Sequence, residues 1–232
     1  MPTLYIGNKN YSSWSMRPWV LMTEAGIAFE EVVVRFDSFD ADSAFKQKII
    51  ALNPFGKVPV LVDESGFAIT DSLAIAETLA ERFPEKHLWP QDAQARARAR
   101  SICAEMHSGF AALRKACPMN IEAHLPDIGQ TIWREQPAVH ADAERLCDIW
   151  GELLHLHGGP MLFGKFSIAD AFFAPACMRF VTYALPVPDA VSAYIQAVQD
   201  LPSVQSWCQA ARAEKDFRAF EEPYRTPPGT NP

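Results

Sequence analysis

Proline 59 constrains this chain more than any other residue. It stands in Asn53-Pro54-Phe55-Gly56-Lys57-Val58-Pro59-Val60-Leu61, where a turn opens onto a short apolar run, at the point where a strand should begin. Proline gives no donor to a sheet ladder, so it is confined to the first residue of a strand or to an edge. Val58–Pro59 is also a bond at which the cis form is only mildly unfavourable. A cis bond there would turn Val58 so that its N–H and C=O face outward, free to pair with an extended peptide. Further on, Asp71-Ser72-Leu73-Ala74-Ile75 puts a carboxylate and a hydroxyl at the start of a helix. The two segments together predict a peptide-binding edge beside a polar helix N-terminus.

The flanking pattern gives that edge a setting. Thr3 to Gly7 reads as a strand, and Ser15 to Ala25 as a helix ended by Gly26, with Ser15 as its cap and Pro18 in its first turn. Glu31 to Phe36 carries three consecutive valines, the mark of a buried strand. Asp40 to Ala51 is weakly helical. Val60-Leu61-Val62 and Phe67-Ala68-Ile69 flank Asp63-Glu64-Ser65-Gly66, a hairpin signal, and Asp71 to Arg82 is a strongly periodic helix. Strands joined through a helix should run parallel and hairpin strands antiparallel, so residues 1–82 form a compact α/β unit with a mixed four-stranded sheet. Residues 83–91 contain two prolines and read as a linker. Residues 92–116, 127–157, 167–184, 189–200 and 202–214 all suit helices, which makes 92–222 an all-α domain. Residues 223–232, with four prolines, are expected to be a loosely ordered tail. Ser167 and Asp170 have the spacing of a capping box.

Composition excludes several classes. A net charge of −7 disfavours nonspecific nucleic-acid binding. No apolar run approaches the ~20 residues of a membrane span, and the first residues lack the features of a signal peptide, so a cytoplasmic protein is expected. The five cysteines are odd in number and scattered, which fits neither a disulfide framework nor a zinc site and predicts free thiols in a reducing compartment. His155 and His157 fall on different faces of a helix, so no metal site is expected.

In this order and at these spacings, the Asn-Pro-x-Gly-Lys-Val-Pro segment, the acidic-Ser-Leu-Ala-Ile helix start and the Ser-x-x-Asp cap resemble the cytosolic glutathione transferase family over nearly the whole chain. Ser12-Ser13-Trp14-Ser15-Met16-Arg17 is similar to the Ser-Ser-Cys-Ser-x-Arg signature of the zeta class, the maleylacetoacetate isomerases, with Trp14 where that class has cysteine. The resemblance implies a thioredoxin-like N-terminal domain, glutathione as co-substrate, an electrophilic small molecule as second substrate, a role in detoxification, and a homodimer. It makes Ser12 or Ser13 the partner of the thiolate; zeta-type spacing favours Ser12, theta- or delta-type spacing Ser13. Val58, beside Pro59, should pair its backbone with the cysteinyl unit. Asp71 and Ser72 should hold the γ-glutamyl end, and Lys57 the glycyl carboxylate. Between the domains, Tyr11 and Trp14 from one side, Met106 and Phe110 from the other, and Arg179 are expected around the second substrate. The chemistry open to such a site is conjugation, peroxide reduction, dehalogenation or lyase chemistry, or glutathione-assisted cis–trans isomerisation; a catalytically silent regulatory or binding protein of the same fold is the alternative.

Overall fold

The structure, a computed structural model, describes residues 1–227 and 229. Four strands, β1 (Thr3–Ile6), β2 (Glu30–Val33), β3 (Val60–Val62) and β4 (Ala68–Thr70), lie in the order β2-β1-β3-β4. β1 is parallel to β2 and antiparallel to β3, and β3 is antiparallel to β4. Three helices belong to this unit: α1 (Ser13–Glu24), α2 (Ala44–Ile50) and α3 (Ser72–Arg82).

Alternation along β1 divides the packing. Leu4 and Ile6 join Leu61, Ile69 and the apolar residues of α1 and α3 in the main core, while Tyr5 packs with Phe45 and Ile49 of α2 on the other face. β2 is not the buried strand that its valines suggested: it is an edge strand, with Glu30 and Glu31 exposed and Val32 and Val33 half-buried.

Among the described residues, seven α-helices follow: α4 (Ala93–Ser108), α5 (Ala111–Ala116), α6 (Pro126–Glu135), α7 (Pro137–His157), α8 (Ile168–Tyr183), α9 (Asp189–Gln199) and α10 (Pro202–Glu214). Two spans that read as single helices are each broken in two. Pro137 disfavours helical backbone at Gln136 and separates α6 from α7. Gly109 and Phe110 separate α4 from α5, with Phe110 in the left-handed region at φ 56°.

The two domains share one core. α1 packs on α8 and α10: the Trp19 and Trp207 rings lie 5.3 Å apart, and the Arg17 guanidinium stacks 4.8 Å from the Phe172 ring. At the start of α8, the Ser167 N–H and O–H both donate to Asp170 Oδ2, at 2.9 and 3.0 Å. Asp170 is fully buried and also accepts from Leu162 N–H and Tyr194 O–H, so the cap ties α8 to α9 and to the preceding loop.

The first part of the expected loose tail is held. Tyr224 O–H donates to the Ala116 carbonyl at 2.7 Å, and Arg225 pairs with Glu222 and Glu122. Residues 228 and 230–232 lie outside the described residues. The five cysteines are unpaired thiols. Among the described residues, no helix is long and apolar enough to cross a membrane, and no group of three histidine, cysteine or acidic residues could hold a metal ion.

Candidate active site

α1 begins two residues earlier than its sequence pattern suggested, which places Ser12 at the N-cap position, Ser13 as the first helical residue and Pro18 in the helix interior. Ser15 does not cap the helix. Its hydroxyl is buried, accepts from Gly7 N–H at 3.2 Å and lies 2.7 Å from Ser12 Oγ, fastening the helix start to the end of β1. Ser13 Oγ accepts from Arg179 Nη2 of α8 at 3.2 Å, which leaves its own proton free. The Trp14 and Ser15 N–H groups have no acceptor among the described residues. Free donors at a helix N-terminus make that end positive and suited to an anion.

The Val58–Pro59 bond is cis. The turn before it is organised by Asn53, whose Oδ1 accepts from Phe55 N–H at 3.1 Å and whose Nδ2 donates to the Lys57 carbonyl at 2.8 Å. Lys46 of α2 donates to the Gly56 carbonyl at 2.8 Å. Val58 precedes β3, and neither its N–H nor its C=O has a partner among the described residues.

At the start of α3, Asp71 adopts φ 83°, a conformation that side-chain-bearing residues rarely take and that costs about 1–3 kcal/mol. Its Oδ1 caps the helix through Leu73 N–H at 2.7 Å, and its Oδ2 lies 3.3 Å from Nε2 of His107 on α4. Ser72 is buried, and its Oγ accepts a long hydrogen bond (3.4 Å) from Arg17 Nη1. Arg17 is itself buried between the Trp14 ring at 4.2 Å and Phe172, with no carboxylate partner among the described residues, and burial pushes its pKa down to about 9.

These elements surround one cleft of about 880 Å³ between the domains. It brings together Ser12, Ser13, Lys57, Val58, Pro59, Asp71 and Ser72, and also Tyr11, Trp14 and Arg179. Lys57 is exposed on its wall. The Tyr11 hydroxyl is engaged elsewhere: it donates to Glu222 Oε1 at 2.7 Å, and burial with that bond raises its pKa to about 12.

Met106 and Phe110 are not cleft residues. Both lie in the core, at 2% and 6% exposure, and α4 ends between them, so they share no helical face. Several cleft residues escaped the sequence reading. Lys46, His107, Arg114 and Glu221 reach it from α2, α4, α5 and the segment after α10. Each sits on an element whose periodicity signals only packing, so nothing local marked it.

Arg179 and Arg114 make the helical side of the cleft cationic. Arg179 is 5% exposed, donates through Nη1 to the Cys117 carbonyl and through Nη2 to Ser13 Oγ, and is pushed by burial to a pKa of about 10. The Arg114 guanidinium lies 5.5 Å from the Trp14 ring. Neither has an ion-pair partner among the described residues.

Two family models match the chain: glutathione S-transferase, N-terminal domain, over residues 11–82, and glutathione S-transferase, C-terminal domain, over residues 93–210. Glutathione S-transferase Z1 of Arabidopsis thaliana is 30% identical over 216 residues, covering 85% of this chain and 90% of its own. Maleylacetoacetate isomerase of Rattus norvegicus is 35% identical over 113 residues, 49% of this chain and 50% of its own. Among solved structures, a glutathione transferase homolog from Burkholderia GL BGR1 with bound glutathione superposes with a TM-score of 0.67 at 29% identity, covering 91% of this chain and 98% of that one.

Proposed function

The chain belongs to the glutathione S-transferase family, and we propose that it binds glutathione as the thiolate and adds it to an electrophilic small molecule. The observation that carries this reading is the unpaired main chain of Val58, set in one cleft between the serine-bearing helix start and the Asp71–Ser72 helix start. Glutathione is a short extended peptide. Its cysteinyl unit pairs with Val58 as an added strand would. Its γ-glutamyl ammonium meets Asp71, and the adjoining carboxylate meets Ser72 and its N–H, with Arg17 behind. Its glycyl carboxylate meets Lys57, with Lys46 close by.

That pose directs the thiol to the N-terminus of α1. A free thiol near pKa ~8.5 is only a few per cent ionised at neutral pH, and lowering it by about two units takes roughly 2.7 kcal/mol of preference for the charged form. One or two charge-assisted hydrogen bonds of about 1.5–3 kcal/mol each supply that. Ser13 is the better placed of the two serines, because Arg179 donates to its oxygen and leaves its proton for the sulfur. The serine donates and does not attack.

A glutathione-dependent isomerase acting on a maleyl-type substrate is the second reading. Arg114 and Arg179, which make no ion pair among the described residues, favour a carboxylate-bearing electrophile. Trp14 in place of the zeta-class cysteine weighs against it. We assign the protein to the cytoplasm on its five free thiols, and to a homodimer on exposed apolar surface such as Phe55 and Phe67, at 79% and 66% exposure; the mass in solution tests the dimer.

The deciding experiment is the far-ultraviolet difference spectrum of bound glutathione near pH 6.5, in which thiolate absorbs and thiol does not. A thiolate band is expected; glutathione that fails to bind, or binds as the thiol, overturns the proposal. A panel of aryl halides, peroxides and maleylacetoacetate then separates transferase from isomerase.

A further inference from the structure

The segment after α10 folds back over the cleft and is fastened there by polar contacts. Glu222, 5% exposed, accepts from Tyr11 O–H at 2.7 Å, Asn120 Nδ2 at 2.7 Å and Arg225 Nε at 2.8 Å. Asp216 accepts from Asn8 Nδ2 at 2.8 Å and from Arg35 at 2.7 Å. These bonds fix a 3₁₀ turn, Ala219–Glu221, whose last residue lines the cleft. Unlike its neighbour, Glu221 makes no side-chain hydrogen bond or ion pair among the described residues. It caps nothing and ties nothing together. The charge that acts on it favourably is Arg179, yet burial, with repulsion from Glu222, outweighs that attraction and raises the carboxyl to about 7. An unpartnered carboxylate held in the same cleft as Arg179 and Arg114 has no structural task to explain it.

We propose that Glu221 is a specificity-determining residue of the co-substrate site, its carboxylate offsetting the two arginines so that the cleft accepts uncharged electrophiles alongside anionic ones. The inference rests on the transferase reading, since it needs the glutathione half of the cleft to be filled as described. Charges that share a cleft with low-dielectric walls interact over several ångströms at more than their strength in water. Above about pH 7, where Glu221 is ionised, removing its negative charge therefore strengthens binding of an anionic co-substrate and leaves that of a neutral one little changed.

The test compares two preformed conjugates, so that it does not depend on turnover: S-(dinitrophenyl)glutathione and the analogue in which a carboxylate replaces one nitro group. Their affinities are measured by calorimetry at about pH 8.5, where Glu221 is ionised, for the wild type, Glu221→Gln and Glu221→Ala. The ratio of affinities, anionic over neutral, is expected to rise about tenfold in both variants, because both remove the charge whereas only alanine removes the bulk. Both conjugates binding with an unchanged ratio overturns the role of Glu221 and leaves the transferase reading standing. A rise in Glu221→Ala alone assigns the effect to space and also overturns it. Neither conjugate binding to the wild type overturns the transferase reading and this one with it.

Discussion

Nε2 of His107 on α4 lies 3.3 Å from Oδ2 of Asp71, the cap of α3, across the domain boundary, an ion pair when the imidazole carries a proton. Asp71 therefore has one oxygen bonded to its own helix and the other facing the second domain, while its backbone sits at φ 83°. A carboxylate that must meet an ammonium group gains from being held in place. His107→Ala should weaken glutathione binding about three- to tenfold, while the ionisation of the bound thiol stays where it was. Calorimetric titration with glutathione checks the first statement and the thiolate absorbance the second; an unchanged affinity would mean that the contact only joins the domains.

The two serines should separate in the same assay. Ser12 Oγ is paired with Ser15 Oγ, whereas Ser13 Oγ accepts from Arg179 and has a proton to give. Ser13→Ala should raise the pKa of bound glutathione by about one unit or more, the worth of one charge-assisted hydrogen bond. Ser12→Ala should move it by less than half of that. The opposite order would make Ser12 the donor and Ser13 a support for Arg179.

Arg17 gives a prediction about stability. Its guanidinium is buried with no carboxylate partner among the described residues and is pushed by desolvation to a pKa of about 9. Removing a buried, unpaired charge relieves a cost. Arg17→Met, which keeps the length of the side chain, should leave the free protein at least as stable as the wild type. Glutathione at a hundred times its Kd should stabilise the wild type by about 2.7 kcal/mol. If Arg17 supports the γ-glutamyl carboxylate through Ser72, the variant should bind about tenfold more weakly and gain about 1.3 kcal/mol less at the same concentration. Thermal unfolding with and without glutathione measures both terms; equal gains would confine Arg17 to packing between Trp14 and Phe172.

What could be read from the chain depended on how local its cause was. Pro59, Asn53 and the Asp71–Ser72 pair announce themselves because the backbone there needs particular residue types, and the strand and helix order around them follows from short-range periodicity. The Ser-x-x-Asp spacing at Ser167 likewise showed a cap that needs only four consecutive residues. Met106 and Phe110 misled because a four-residue spacing implies a shared face only if the helix continues, and Phe110 at φ 56° lies in the break between α4 and α5. β2 misled because sheet order decides whether a valine run is central or at the edge. His107, Arg114 and Glu221 reach the cleft through tertiary packing alone, and Glu221 lies in a short charged stretch after α10 whose composition says nothing of the anchoring by Glu222.

Asp170 should make stability depend on pH in the sense opposite to that of a surface carboxylate. Its burial outweighs the donors from Leu162, Ser167 and Tyr194 and raises its pKa to about 6, against ~3.9 in an unfolded chain. Between those values the folded protein binds the proton and the unfolded chain does not. The group therefore contributes stability that is fully present below about pH 4 and is lost as pH rises through 6, by about 3 kcal/mol in all. Other carboxylates act in the opposite direction, Asp216 among them, its pKa held below the ordinary carboxylate range by Arg218, Arg35 and Asn8 against the opposing effect of burial, so the comparison must be with a variant. Asp170→Asn should be destabilised at neutral pH by about 1–3 kcal/mol, because one amide oxygen cannot accept from donors that now share two. The gap between wild type and variant should widen by up to about 3 kcal/mol from pH 7 to pH 4, as the wild type takes up its proton and the variant has none to take. Urea unfolding of both proteins at a series of pH values measures that gap, and a constant gap would show that the buried carboxylate titrates where an exposed one does.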